Sequence, residues 1–173
     1  MSRVAIIGNG GGGKTTLAIK LGKALGITVH HIDKIQFRPG WRPTPSDELA
    51  RRHNEILSTE KWIIDGWGNW PLIERRFALA DTIIFIDLPI YVHYWWALKR
   101  QVAFPFRPTP DRPDNCPLLP KTWRMMRVLW TVNRSLRPQL IELVEAERGR
   151  KCVVCIQSTR ELAEFRRNYC RTA

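Results

Sequence analysis

Gly8-Asn9-Gly10-Gly11-Gly12-Gly13-Lys14-Thr15 decides how the rest of this chain is read, because it fits the spacing G-x-x-x-x-G-K-[ST]. Upstream of it, Arg3-Val4-Ala5-Ile6-Ile7 is a short apolar run rich in β-branched residues, as expected of a strand buried on both faces of a parallel sheet. Downstream, Leu17, Ala18, Leu21, Ala24 and Leu25 recur at helical spacing, and Gly26 is placed to end the helix. Strand, glycine loop and helix follow one another, which is the setting the pattern requires. A flexible glycine linker would have neither flank.

The residue types in the loop match one chemistry. A polyphosphate is held by main-chain N–H groups at a helix N-terminus, where unpaired donors and the helix dipole both favour anions. Gly8, Asn9, Gly10, Gly11, Gly12 and Gly13 let the backbone come close to the phosphates of ATP, and glycine takes positive φ without a Cβ clash. Lys14 is expected on the β and γ phosphates, the Thr15 hydroxyl on Mg²⁺, and the Thr16 hydroxyl on the α phosphate.

At 173 residues and 44% apolar composition, the chain is expected to form a single domain, 1–173, of the soluble α/β class. It holds no apolar run of membrane-spanning length, and its first residues already build a core strand, so a cytoplasmic location without a leader or a membrane partner is expected. Cys152 and Cys155 lie in the strand-like run Cys152-Val153-Val154-Cys155-Ile156, where residues three apart point to opposite faces, so buried reduced thiols are expected rather than a metal site. Of the net charge of +12, the stretch from Lys99 to Arg137 supplies +7, with nine Lys or Arg against Asp111 and Asp114. Such a stretch meets either polyphosphates inside a site or nucleic acid on the surface.

Three further apolar runs end in a carboxylate. Ile27 to Ile32 reads as a second strand delivering Asp33, Lys61 to Ile64 as a third delivering Asp65, and Thr82 to Ile86 as a fourth delivering Asp87. Open α/β sheets place ligand chemistry at these carboxyl ends. An Asp at a strand tip can hold Mg²⁺ directly or through water, and Asp65 is the preferred residue, with Asp33 and Asp87 as competitors. His30 and His31 are read as structural. Phe37 to Pro43 reads as a loop, and Thr44-Pro45-Ser46-Asp47 as a capping box opening a helix to about Ser58. Arg38 and Arg42 are candidate acceptor contacts, as are Arg75 and Arg76 on the helix after Pro71. Trp67 and Trp70 are candidate stacking or packing residues. The proline-rich stretch 102–120 is expected to be a lid. A helix from Lys121 to about Leu136 follows, and Lys151 to Gln157 is expected as the fifth strand. Ser158-Thr159-Arg160-Glu161 reads as a capping box opening the last helix.

The chain as a whole, from about residue 3 to about residue 165, resembles the adenylate-kinase-related P-loop proteins, and more closely the bacterial group labelled DNA-topology-modulation proteins. The resemblance rests on the glycine loop, His31-Ile32-Asp33-Lys34, Trp62-Ile63-Ile64-Asp65-Gly66, Asp81 to Pro89, Lys99-Arg100, Cys116-Pro117 and Arg137-Pro138. It implies a five-stranded parallel sheet in the nucleoside-monophosphate-kinase order, ATP and Mg²⁺ as ligands, and phosphoryl transfer. It also implies that Asp65 helps organise the metal and that Lys99, Arg100 and Arg137 contact the donor phosphates. Nucleotide kinases continue from Asp-Gly into Phe-Pro-Arg, whereas Trp67-Gly68-Asn69-Trp70 follows here.

The expectation is therefore a P-loop kinase acting on a nucleotide or a polar metabolite. Lys14 and the loop amides would hold ATP, and Thr15 with Asp65 or Asp33 would hold Mg²⁺. Arg100, Arg134 and Arg137 would screen charge on the transferred group. The competing expectation is a nucleic-acid-associated ATPase that modulates DNA topology through its basic face. A monomer or weak dimer is expected.

Overall fold

The five apolar runs pair as a single parallel sheet. A computed structural model describes residues 1–103 and 122–170. The expected lid lies outside the described residues, except that positions 102 and 103 end a helix. The side chain of Arg100 also lies outside them.

The main sheet contains β1 (Arg3–Gly8), β2 (Val29–His31), β5 (Trp62–Asp65), β6 (Thr82–Ile86) and β7 (Cys152–Ile156), in the order β2-β5-β1-β6-β7. All neighbours run parallel. Because the chain moves first to one side of β1 and then to the other, the order reverses across the strand that feeds the glycine loop. Ligands of open α/β sheets bind at such a reversal.

Side-chain alternation along β1 explains the layering. Val4 and Ile6 face a cluster with Leu17, Ala18 and Leu21 of α1 (Lys14–Leu25) and Leu162 and Phe165 of α8 (Thr159–Tyr169). Ala5 and Ile7 face the other layer. There they meet Ile73 and Phe77 of α4 (Trp70–Leu79), Leu57 of α3 (Ser46–Leu57), and Leu140 and Val144 of α7 (Arg137–Glu147). Both faces of the sheet are covered, which is why the strands read as apolar runs rather than as alternating ones.

Local chemistry sets the boundaries. Asn69 caps α4 by accepting from the Leu72 amide at 3.1 Å, and Ser158 caps α8 by accepting from the Glu161 amide at 3.1 Å. The expected capping box at 44–47 is not formed: Pro45 is the cap residue of α3 and makes no side-chain cap bond. The second strand is shorter than expected. It stops at His31, and Ile32 starts the one-and-a-half-turn α2 (Ile32–Gln36), so Asp33 sits in a helix and not on a strand tip. The expected loop 37–43 holds a small hairpin of β3 (Phe37–Arg38) and β4 (Arg42–Pro43).

After β6 come α5 (Ile90–Ala103) and α6 (Thr122–Thr131), and a π-helical turn, Val132–Leu136, joins α6 to α7. Such turns are rare and concentrate at functional sites. The described cysteines, Cys152, Cys155 and Cys170, are free, and none is buried as expected: Cys152 is exposed and the other two are half-buried. No helix of the described residues is long and apolar enough to cross a membrane.

Candidate active site

The glycine loop lies at the carboxyl end of β1 and its backbone is held in a form other residues would strain. Gly8 has φ of 145°, and a Cβ there would meet the Ile86 carbonyl oxygen at 2.2 Å. Gly13 is the N-cap of α1 with φ of 77° and contributes no side-chain cap bond. The first amides of α1 are therefore presented at the positive end of the helix dipole, the arrangement that attracts phosphate. Lys14 Nζ donates to the Asn9 carbonyl at 2.8 Å across the loop.

Three elements fix the loop from behind. Asn9 Oδ1 accepts from the Gly10 amide at 2.8 Å, and Asn9 Nδ2 donates to the Leu129 carbonyl of α6 at 2.8 Å in a buried bond. His93 of α5, 1% exposed, sets Nδ1 2.7 Å from the Gly10 carbonyl and Nε2 3.1 Å from the Leu88 carbonyl. Burial lowers its pKa, and the two carbonyls work in the other direction. Arg166 of α8 donates from Nη2 to the Gly13 carbonyl at 3.2 Å.

In front of the loop opens a cleft of about 610 Å³ lined by all of Gly8 to Thr16. The same cleft takes His31, Asp33, Gln36 and Phe37 from β2, α2 and β3, and Asp65, Gly66 and Trp67 from the end of β5. Trp96 of α5 and Met125, Val128 and Leu129 of α6 form an apolar wall.

Strand register brings His31 and Asp65 together. They are partners in the β2–β5 ladder, and His31 Nδ1 lies 2.5 Å from Asp65 Oδ1. Asp65 is 2% exposed. Thr15, Asp33 and Asp65 border the same space, so a hydroxyl and two carboxylates offer the oxygen donors that Mg²⁺ prefers. Among the described residues no three His, Cys, Asp or Glu side chains make a metal cage by themselves.

The arginines are distributed differently from the sequence expectation. Arg76, expected at the acceptor, is wholly buried: Nη1 donates to the Gly66 carbonyl at 3.2 Å and Nη2 to the Trp67 carbonyl at 3.0 Å. Burial pushes its pKa down to about 10, with Asp65 acting the other way. This is a correction. Arg76 shapes the Gly66–Trp67 turn and does not line the cleft, because its polar ends are already engaged by main-chain carbonyls. Arg75 is exposed and outside the cleft. Arg38 ion-pairs with Glu48, whose other oxygen is 2.6 Å from Arg52. Arg137 holds Asp87 in a bidentate pair at 2.6 and 2.7 Å, which raises the arginine pKa and occupies the third candidate metal carboxylate. Neither Arg134 nor Arg137 lines the cleft.

Sequence reasoning missed His31, Gln36, Phe37, Trp96 and the α6 wall. The His31 side chain sits one strand away from Asp65, and no linear spacing encodes a ladder partner. The apolar stripe of α6 was visible, but its packing over the glycine loop was not.

No family model matches the chain, and no curated protein is significantly similar to it in sequence. Solved structures do match. A gluconokinase from Sinorhizobium meliloti 1021 superposes with a TM-score of 0.57 at 15% identity, covering 98% of this chain and 89% of that one. A shikimate kinase from Acinetobacter baumannii, in complex with shikimate, superposes with a TM-score of 0.57 at 16% identity, covering 95% and 89%. The likeness extends over nearly the full length of this chain and establishes a three-layer α/β fold with a five-stranded parallel sheet, shared with these two structures.

Proposed function

We propose that this chain is a P-loop kinase, related to the adenylate-kinase group, that moves the γ-phosphoryl of ATP to a small acceptor with Mg²⁺. One observation carries the reading. The glycine cradle with Lys14 and Thr15 opens into the same cleft as Asp33, Asp65 and His31, so a phosphate and the oxygen that attacks it have a shared, walled space. The fold common to this chain and the two kinases supports it.

In this reading the amides of Gly8 to Thr16 hold the triphosphate and Lys14 leaves the Asn9 carbonyl for the β and γ phosphates. Thr15 with Asp33 or Asp65 binds Mg²⁺, which neutralises charge on the phosphates when bound. His31 fixes the Asp65 carboxylate. Trp96 and the α6 wall keep water from the phosphates, and water exclusion strengthens each electrostatic contact inside. No side-chain nucleophile is required, since positioning and charge stabilisation suffice for phosphoryl transfer. Arg100 stands on α5 and would serve the donor phosphates from the lid base. The test is transfer of label from γ-labelled ATP to a panel of hydroxyl acceptors, with label retained in an organic product as the expected result. Label released only to water refutes it.

A second reading, with a specific observation behind it, is a nucleic-acid-associated ATPase of the DNA-topology-modulation kind. Helix α6 exposes Trp123 at 74% and Trp130 at 50%, together with Arg124 and Arg127, and the π-helical turn after it exposes Arg134. Aromatic faces among cations suit stacking on unpaired bases and contact with their backbone. This reading requires nucleic-acid binding that weakens steeply with salt and ATP turnover that rises when DNA is added.

A further inference from the structure

We infer that the acceptor is an uncharged cyclic polyol, a free sugar or the ribose of a nucleoside, and not a phosphorylated or carboxylated molecule. The inference rests on the kinase reading and names the substrate class of that same cleft.

Three sets of observations point this way. The cleft that the glycine loop enters is also bordered by Asp33, Gln36 and Asp65, all rich in hydrogen-bond acceptors, and by the aromatic residues Phe37 and Trp67. A sugar ring has the matching surfaces: hydroxyls around its edge donate to carboxylates, and its C–H faces lie against aromatic rings. Both rings are fixed in place. Trp67 is held through its carbonyl by Arg76 and by an edge contact with Trp70 at 6.0 Å, and Phe37 by an edge contact with Trp41 at 5.5 Å.

Cations, by contrast, are engaged elsewhere. Among the described residues that line the cleft, Lys14 is the one Lys or Arg, and it belongs to the phosphate cradle. Arg76 is buried on carbonyls, Arg38 and Arg52 share Glu48, and Arg137 holds Asp87. An anionic acceptor would stand beside two carboxylates with no described counter-charge of its own. Mg²⁺ does not change this, because the triphosphate that brings it is itself polyanionic.

In the transfer, a ring or exocyclic hydroxyl oxygen forms a bond to the γ-phosphorus. The bond from that phosphorus to the β,γ-bridging oxygen breaks, ADP leaves with the electron pair, and the hydroxyl proton goes to solvent.

The experiment uses the full chain and γ-labelled ATP with matched neutral and anionic pairs: ribose and ribose 5-phosphate, glucose and gluconate, adenosine and AMP. The expected result is kcat/KM at least about 100-fold higher for the neutral member of the pair that reacts, a ratio that differential binding at one site can reach. The ribose and glucose arms against the adenosine arm tell a free sugar from a nucleoside. Equal or better transfer to an anionic member overturns the inference and leaves the kinase reading intact. Label reaching water alone in every arm overturns both. Trp67→Ala should raise acceptor KM about tenfold while KM for ATP stays within twofold. Acceptor KM unchanged in that variant overturns the stacking role.

Discussion

The two halves of the cleft are built from different materials. The phosphate half is main chain: Gly8 and Gly13 at positive φ, the uncapped first turn of α1, and one lysine resting on a loop carbonyl. The half proposed for the acceptor is side chain, gathered from β2, α2, β3 and β5, with Arg76 donating to the carbonyls of the Gly66–Trp67 turn. From the contrast we expect the first half to tolerate less change in sequence than the second. Backbone donors exist only if the chain can adopt one conformation, whereas side chains on a fixed sheet edge can be exchanged without disturbing it.

The largest expected effect comes from removing Lys14, the one Lys or Arg among the described residues that line the cleft. Lys14→Ala should lower turnover by about 10³-fold, the scale of losing a charge-stabilising group, and abolish the calorimetric heat of Mg-ATP binding while circular dichroism stays unchanged. Next is the backbone itself. Gly8→Ala puts a methyl 2.2 Å from the Ile86 carbonyl oxygen at φ of 145° and should destabilise by about 3 kcal/mol, visible as a drop of roughly 10 °C in the unfolding midpoint. Gly40→Ala, at φ of 77° with nothing within 4 Å of the added carbon, should cost only the backbone strain, about 1 to 2 kcal/mol. A comparable loss in both would show that the phosphate half is no more constrained than a surface turn.

The acceptor half can be loosened separately. Arg76→Met removes two donors from the Gly66 and Trp67 carbonyls and should cost about 2 to 3 kcal/mol in urea unfolding. Acceptor KM should rise while ATP KM is unchanged, and equal effects on both would mean the halves are not independent.

A smaller effect lies behind Arg76. His53 is fully buried with neither ring nitrogen hydrogen-bonded, and burial first, then the charges of Arg76 and Arg75, push its pKa from 6.5 to about 4. The folded state therefore binds this proton less readily than the unfolded state. The stability it contributes is complete above pH 6.5 and is lost as the pH falls toward 4, by something on the order of 2 kcal/mol. Chemical denaturation across that window should show the loss, and His53→Leu should flatten it.

Much of this molecule is written in the order of its residues. The glycine loop with its strand and helix, the five apolar strands and the cap at Ser158 follow from local patterns, because each depends on neighbours in the chain. Charge was legible as an amount but not as a placement. Nothing along the chain says that Arg137 will close on Asp87 fifty residues away or that Arg76 will be sealed beneath the Gly66–Trp67 turn. The meeting of His31 with Asp65 was equally hidden, since it is set by the register of two strands separated by two helices and a hairpin. Sequence alone determined that a glycine loop stands between the first strand and the first helix, because the residues that build it lie in one continuous segment. Only the tertiary structure decided what faces that cradle, because long-range pairing, and not spacing, determines which side chains share a space.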